Sequence, residues 1–135
     1  MNDRAALREI AALIEAYRAG FEMLDAEKLC SIWDRDYDII YCPIELTAPL
    51  MGWDQISDYY DRVTRHFRRV DRMEVDNVTT SVFDDLAIAF FTFEFEGEVR
   101  ETTATFKARG RNTFVFRRGN GGWKGIHYHE SSTPQ

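Results

Sequence analysis

The segment Gly122-Trp123-Lys124-Gly125-Ile126-His127-Tyr128-His129-Glu130-Ser131 holds the densest chemistry in the chain. Side chains alternate across a β-strand, so Ile126, Tyr128 and Glu130 would share one face. Trp123, Gly125, His127, His129 and Ser131 would share the other. A carboxyl facing an apolar cavity is desolvated, which raises its pKa and suits it to take or give a proton. That is the chemistry Glu130 would carry. The competing structural reading puts Glu130 at a cavity mouth, or in an ion pair with Arg111 or Arg117. His127 and His129 have workable spacing for two metal ligands, but zinc takes three or four, and no third partner is visible. No metal and no other cofactor is therefore expected.

Other clusters have blander readings. Arg62, Arg65, Arg68, Arg69 and Arg72 surround His66. They read either as an anion-binding patch or as a solvated helix face that complements the C-terminal helix dipole. The acidic total charge favours the solvated face, with His66 at the surface. The run from Gly119 to Gly125 fails the dinucleotide fingerprint, because Lys124 takes the third glycine position and a strand follows. Its first part, Gly119-Asn120-Gly121-Gly122, is a hairpin turn. Asn77-Val78-Thr79 is a glycosylation sequon by letter only. Cys30 and Cys42 are too few for a disulfide framework and read as small core residues.

These residues must be held by one domain, since 135 residues leave room for a single core. Hydrophobic residues make up 44%, with ten Phe, six Tyr and three Trp, so core material is ample. A net charge of −6 repels phosphate backbones and anionic lipid, which argues against nucleic acid and membrane surfaces as partners. No apolar run resembles a signal peptide or a bilayer span, so a cytoplasmic location is expected.

The element order follows from hydrophobic period. Leu7, Ile10, Ile14, Tyr17, Phe21 and Leu24 recur at helical spacing, with Asp3 as N-cap and Gly20 weakening the end. Asp25 would cap a second helix from Ala26 to Trp33. A short strand, Tyr37 to Cys42, stops at Pro43, and an irregular segment follows. A third helix is predicted from Trp53 to Arg69, with Ile56, Tyr60, Val63, Phe67 and Val70 on one stripe. After Val70 the period becomes two. Strands are predicted through Phe83, from Leu86 to Phe95, from Val99 to Phe106, from Asn112 to Arg117 and from Trp123 to Ser131. Asp84-Asp85 suits a turn, Gly97 breaks a strand, and Gly110 marks a bulge. The domain covers 1–131, with 132–135 as a loose tail. Helices followed by a strand meander make an α+β layer fold, and a curved sheet closed by helices leaves a concavity.

The segment Gly110 to Arg118, with the ending W-x-x-x-H-x-H-x-S, resembles the closing hairpin of SnoaL-like domains in the nuclear-transport-factor-2-like superfamily. The element order matches over nearly the whole chain. The resemblance implies a cone-shaped fold with a pocket between concave sheet and helices, and a homodimer through the outer sheet face. By analogy with ketosteroid isomerases, Asn112, Phe114 and Phe116 would face the pocket beside Ile126, Tyr128 and Glu130. The same analogy makes Tyr17 one hydrogen-bond donor and Asn112 the second; Glu130, on the strand-face reading above, is the candidate acid or base. Where the isomerase base would fall, this chain has Tyr41-Cys42-Pro43. Trp33, Trp53 and Tyr60 are the aromatics expected at the cavity wall.

The function implied is a pocket for a small apolar ligand of polyketide, steroid or aromatic type, with isomerase, cyclase or dehydratase chemistry. The alternative is a non-catalytic oligomerisation or accessory module, like the kinase association domains whose ending is similar. A carrier without turnover is a third.

Overall fold

The computed structural model describes residues 3–134. Three helices come first: α1 (Arg4–Glu22), α2 (Ala26–Cys30) and α3 (Trp53–His66). Two short strands, β1 (Ile40–Cys42) and β2 (Leu50–Met51), lie between α2 and α3. The meander is β3 (Phe67–Phe83), β4 (Leu86–Val99), β5 (Thr105–Gly119) and β6 (Gly122–Ser132). All six strands form one curved, open sheet in the order β2-β1-β6-β5-β4-β3. Every pairing is antiparallel except β1 with β6. The α+β class and three-helix, curved-sheet architecture agree with the expectation from sequence.

Local chemistry explains the starts of α1 and α2. Asp3 and Asp25 accept from the amides of Ala6 and Lys28, each at 3.0 Å, so both predicted N-caps are formed. Gly20 does not end α1. Its missing side chain lets Leu29 approach, since a Cβ there would sit 2.7 Å from the Leu29 side chain. The core lies between helices and sheet. Ile10, Ile14 and Tyr17 of α1 meet Phe91, Phe114 and Phe116 of the inner sheet face, all nearly inaccessible to water. Each such side chain contributes about 1.5–3 kcal/mol by burial.

The differences from the sequence reading have physical causes. The stripe Ile56–Val70 runs past the true end of α3, because Phe67 is buried either way while its backbone pairs with Val99 in β4. Trp33 lies beyond α2 and bridges to Gly125. Gly97 does not interrupt β4; a Cβ there would sit 3.0 Å from the Arg69 carbonyl oxygen, so glycine permits close pairing. Nor does Gly110 mark a bulge. It pairs regularly with Phe93 and Ser132 within one unbroken β5. The irregularity lies instead where Phe116 pairs with Gly125 and Val115 with His127, leaving Ile126 as the extra residue. The segment read as a tail continues the sheet. Ser132 belongs to β6, and the Thr133 N–H donates to the Arg109 carbonyl at 3.0 Å. Gln135 lies outside the described residues.

Candidate functional site

A cavity of about 390 Å³ opens between the inner sheet face and α1, α3 and the turn after β1. Tyr17 and Phe21 project from α1, and Tyr41 from β1. The turn contributes Ile44, Glu45 and Leu46. Tyr59, Arg62, Val63 and His66 come from one face of α3, where their spacing of three and four residues aligns them. Met73, Phe93, Phe95 and Ala108 build the sheet wall, and Tyr128 and Glu130 complete it from β6. Tyr17, Tyr41 and Tyr128 are all but completely buried and form the inner end. Glu45, Arg62, His66 and Phe106 are exposed and mark the mouth.

The polar groups of the inner end are connected. The Tyr17 and Tyr41 hydroxyls lie 2.8 Å apart, and the rings of Tyr41 and Tyr128 stack with centroids 5.0 Å apart. The Tyr128 hydroxyl donates to Glu130 Oε2 at 2.5 Å, and the Ile44 N–H donates to Glu130 Oε1 at 2.8 Å. Burial pushes the Glu130 carboxyl up to about 7; the two donors oppose the shift and the charge of Glu45 adds to it. Burial likewise drives the phenols of Tyr17, Tyr41 and Tyr128 well above their ordinary value, so they are donors, not phenolates. The Tyr59 hydroxyl donates to Glu45 Oε2 at 2.7 Å and ties the turn to α3.

Of the residues expected at the site, the structure brings Tyr17, Tyr128 and Glu130 to the cavity. Neither arginine considered as a partner of Glu130 reaches it: Arg117 pairs with Asp34 at 3.5 Å, and Arg111 donates to Ser131. Asn112 is on the inner face, directly opposite Glu130 in register and 2% exposed, with both amide atoms unpartnered. Trp33, Tyr60, Phe114 and Phe116 form a second layer beneath the cavity. Trp33 stacks on Phe114 and donates to the Tyr60 hydroxyl at 3.0 Å, while Phe114 stacks on Phe116. Trp53 begins α3 away from the cavity, with the Arg35 guanidinium 4.2 Å above its ring. Ile126 is displaced from the expected face by the bulge, which moves Trp123 and Gly125 to the inner side with Tyr128.

Tyr59, Glu45, Phe93 and Phe95 were not legible as site residues, and Tyr41 was marked only by standing where the isomerase base would fall. The alternation Phe91-Phe93-Phe95 in β4 is the one available signal, since it places three rings on a single face. His66 and Arg62 stand at the mouth, not on an unrelated surface. His129 is exposed, and His127 is held below its ordinary pKa by partial burial and by His129. Among the described residues, no three His, Cys, Asp or Glu side chains converge as metal ligands do. A wider groove by the β5–β6 turn is polar; of its arginines, Arg117 and Arg118 are paired with Asp34 and Asp85, and Arg35 lies over the Trp53 ring. Among the described residues, no helix is long and apolar enough to cross a membrane.

Solved structures share this architecture. A candidate dehydratase of the nuclear-transport-factor-2-like family from Streptomyces avermitilis is 18% identical, with TM-score 0.86 over 98% of this chain and 100% of the other. A ketosteroid isomerase-like protein from Erwinia carotovora atroseptica is 18% identical, with TM-score 0.79 over 98% and 100%. A candidate association domain of calcium/calmodulin-dependent protein kinase type II from Thiobacillus denitrificans is 23% identical, with TM-score 0.73 over 92% and 94%. At such identities the likeness establishes the fold. No curated protein matches the chain in sequence. The family model described as the SnoaL-like domain matches residues 10–135, and the chain belongs to the SnoaL-like domain family, with the fold of the nuclear-transport-factor-2-like proteins above.

Proposed function

We propose that this domain binds a small, largely apolar, oxygenated molecule in the cavity, and that Glu130 moves a proton on it. One observation carries the reading. A part-buried carboxyl with pKa near 7 is hydrogen-bonded to a buried phenol inside a cavity walled mostly by aromatic and aliphatic groups. An acid or base works best when its pKa lies near the operating pH.

The ionised carboxylate would accept a proton from a ligand carbon beside a carbonyl. Negative charge would then build on the carbonyl oxygen, where tyrosine hydroxyls are the donors at hand. The bond between Tyr17 and Tyr41 uses one of their two O–H groups and leaves the other for the ligand. Once Glu130 is protonated it becomes the donor to Tyr128, and the Tyr128 hydrogen is released toward the ligand. The orphaned amide of Asn112, beside Glu130, is suited to a ligand oxygen or a bound water. Isomerisation, cyclisation and dehydration of polyketide-, steroid- or aromatic-type metabolites share this proton chemistry. The names of the Streptomyces and Erwinia proteins are compatible with it.

Native mass spectrometry of the purified protein tests the pocket, and Glu130→Gln tests the proton step. Retained non-covalent mass, with the variant binding that molecule but losing turnover by about 10²–10⁴-fold, is the expected result. A variant that keeps full turnover removes Glu130 from the chemistry.

A homodimer through the outer sheet face belongs to the same proposal. Leu86, Ile88 and Phe90 of β4 are 42–45% exposed there, beside Phe83 at 59%. The same patch also supports the second reading, an oligomerisation module akin to the Thiobacillus domain. A closed ring with an empty cavity would favour that reading.

A further inference from the structure

The cavity mouth carries charge that the proton chemistry does not use. Arg62 and His66 are one helical turn apart on α3, exposed, and turned to the cavity alongside Tyr59 and Val63. The sequence presents Arg62 as one of a run of five arginines, but the structure divides that run. Arg68 and Arg69 pair with Glu98, Arg69 also with Asp71, and Arg72 with Glu74 and Glu94. The side chains of Arg62 and Arg65 have neither an ion-pair nor a hydrogen-bond partner among the described residues, and of the two only Arg62 lines the cavity. Arg62 is thus an unpaired cation at the entrance to an apolar chamber, in a chain of net charge −6.

A guanidinium in that position selects for the far end of whatever enters. It offers paired N–H donors that match a carboxylate. Glu45 stands on the same rim, its charge partly satisfied by the Tyr59 hydroxyl. Its presence disfavours a dianionic phosphate more than a single carboxylate, since repulsion scales with ligand charge. The volume of about 390 Å³ lies near the lower end for small-molecule pockets, which limits the apolar body to a compact one.

We infer that the ligand is an amphipathic carboxylic acid, with its carboxylate on Arg62 at the mouth and His66 beside it. Its apolar body then fills the chamber. Its opposite, oxygenated end meets Tyr17, Tyr41, Tyr128 and Glu130. The inference rests on the pocket reading above and adds polarity to it: the reacting carbon is remote from the acid group.

Two probes of equal size separate charge from shape: naphthaleneacetate and its uncharged amide, naphthaleneacetamide. Titration calorimetry on the full chain gives their affinities, and NMR shifts at the Ala108 methyl and Phe95 ring report whether they occupy the cavity. The acetate is expected to bind about tenfold or more tightly than the amide, with that ratio falling to about one in Arg62→Gln. The ratio should also shrink as ionic strength rises. Cavity binding with equal affinities, or a preference that survives Arg62→Gln, overturns the inference and leaves the pocket reading standing. No binding of either probe, or shifts confined to the outer sheet face, removes the pocket reading and this inference together.

Discussion

Glu130 holds its proton to about pH 7, whereas in the unfolded chain it would release it near the ordinary carboxylate value of 4.5. Folding therefore takes up a proton between those values, and stability falls as pH rises through that window. Glu130→Gln keeps the acceptor for Ile44 and removes the titration. The variant should be more stable than wild type at pH 8 by on the order of 2 kcal/mol, a figure reduced for partial exposure. The difference should vanish below about pH 4, under the unfolded pKa, and denaturant melts at the two pH values measure it. Tyr128→Phe acts in the opposite sense on the carboxyl. Without the phenol donor, the Glu130 pKa should rise above 7, as read from its side-chain carbon shift by NMR. At this scale the sequence named Glu130, Tyr128 and Tyr17 and missed Tyr41, Tyr59 and Glu45. None of the three carries a local signal: a tyrosine in a short strand or helix looks the same whether its hydroxyl meets a cavity or a core, a turn glutamate reads as surface, and only the resemblance marked the position of Tyr41.

Between elements, the turn after β1 is held at two points: Ile44 to Glu130 and Glu45 to Tyr59. Tyr59→Phe removes the second. Hydrogen exchange at the Ile44 amide should then accelerate about five- to tenfold, the equivalent of losing one hydrogen bond of about 1 kcal/mol. An unchanged rate would mean that the turn is fixed by packing alone. Gly110 supports the same turn from below. An added methyl would meet the Ser131 carbonyl oxygen at 2.7 Å, Phe93 at 2.8 Å and Ile44 at 2.9 Å. Gly110→Ala should cost roughly 1–3 kcal/mol, seen as a lower Tm, because backbone in a paired strand cannot move aside. Glycine reads in sequence as a break, and here its use is close approach. That distinction depends on what lies across the sheet, so Gly97 and Gly110 were both read as interruptions of strands that are continuous.

For the whole molecule, the outer face of the sheet is the open question of assembly. Ile88 and Phe90 sit at its centre, paired in register with Val115 and Thr113. Ile88→Asp combined with Phe90→Asp should convert a dimer to a monomer in light scattering while leaving the fold intact by circular dichroism. A dimer that persists places the interface elsewhere. Either outcome leaves the cavity unchanged, since Ala87, Ala89 and Phe91 carry the inner face of the same strand.

The sequence by itself determined the class of fold, the order of its three helices, both aspartate caps and the Asp84-Asp85 and Asn120-Gly121 turns. These follow from interactions within a few residues of one another: apolar period, cap chemistry and turn propensity. It also placed Tyr128 and Glu130 on one face, because no irregularity lies between them. It did not find the long strands' bounds, since the expected Val99–Phe106 strand spans the turn between β4 and β5 and its end joins Asn112–Arg117 in one strand. Tertiary structure alone decided the rest. The bulge at Ile126 exists only relative to the partner strand β5, and it moved Trp123 and Gly125 to the inner side. The Ile44–Glu130 bond joins residues 86 apart in the chain, and Tyr17–Tyr41 joins residues 24 apart. Such convergence comes from sheet pairing and helix docking, not from any local pattern. For the same reason the free charge of Arg62 became visible only once its neighbours Arg68, Arg69 and Arg72 had found carboxylates across the sheet.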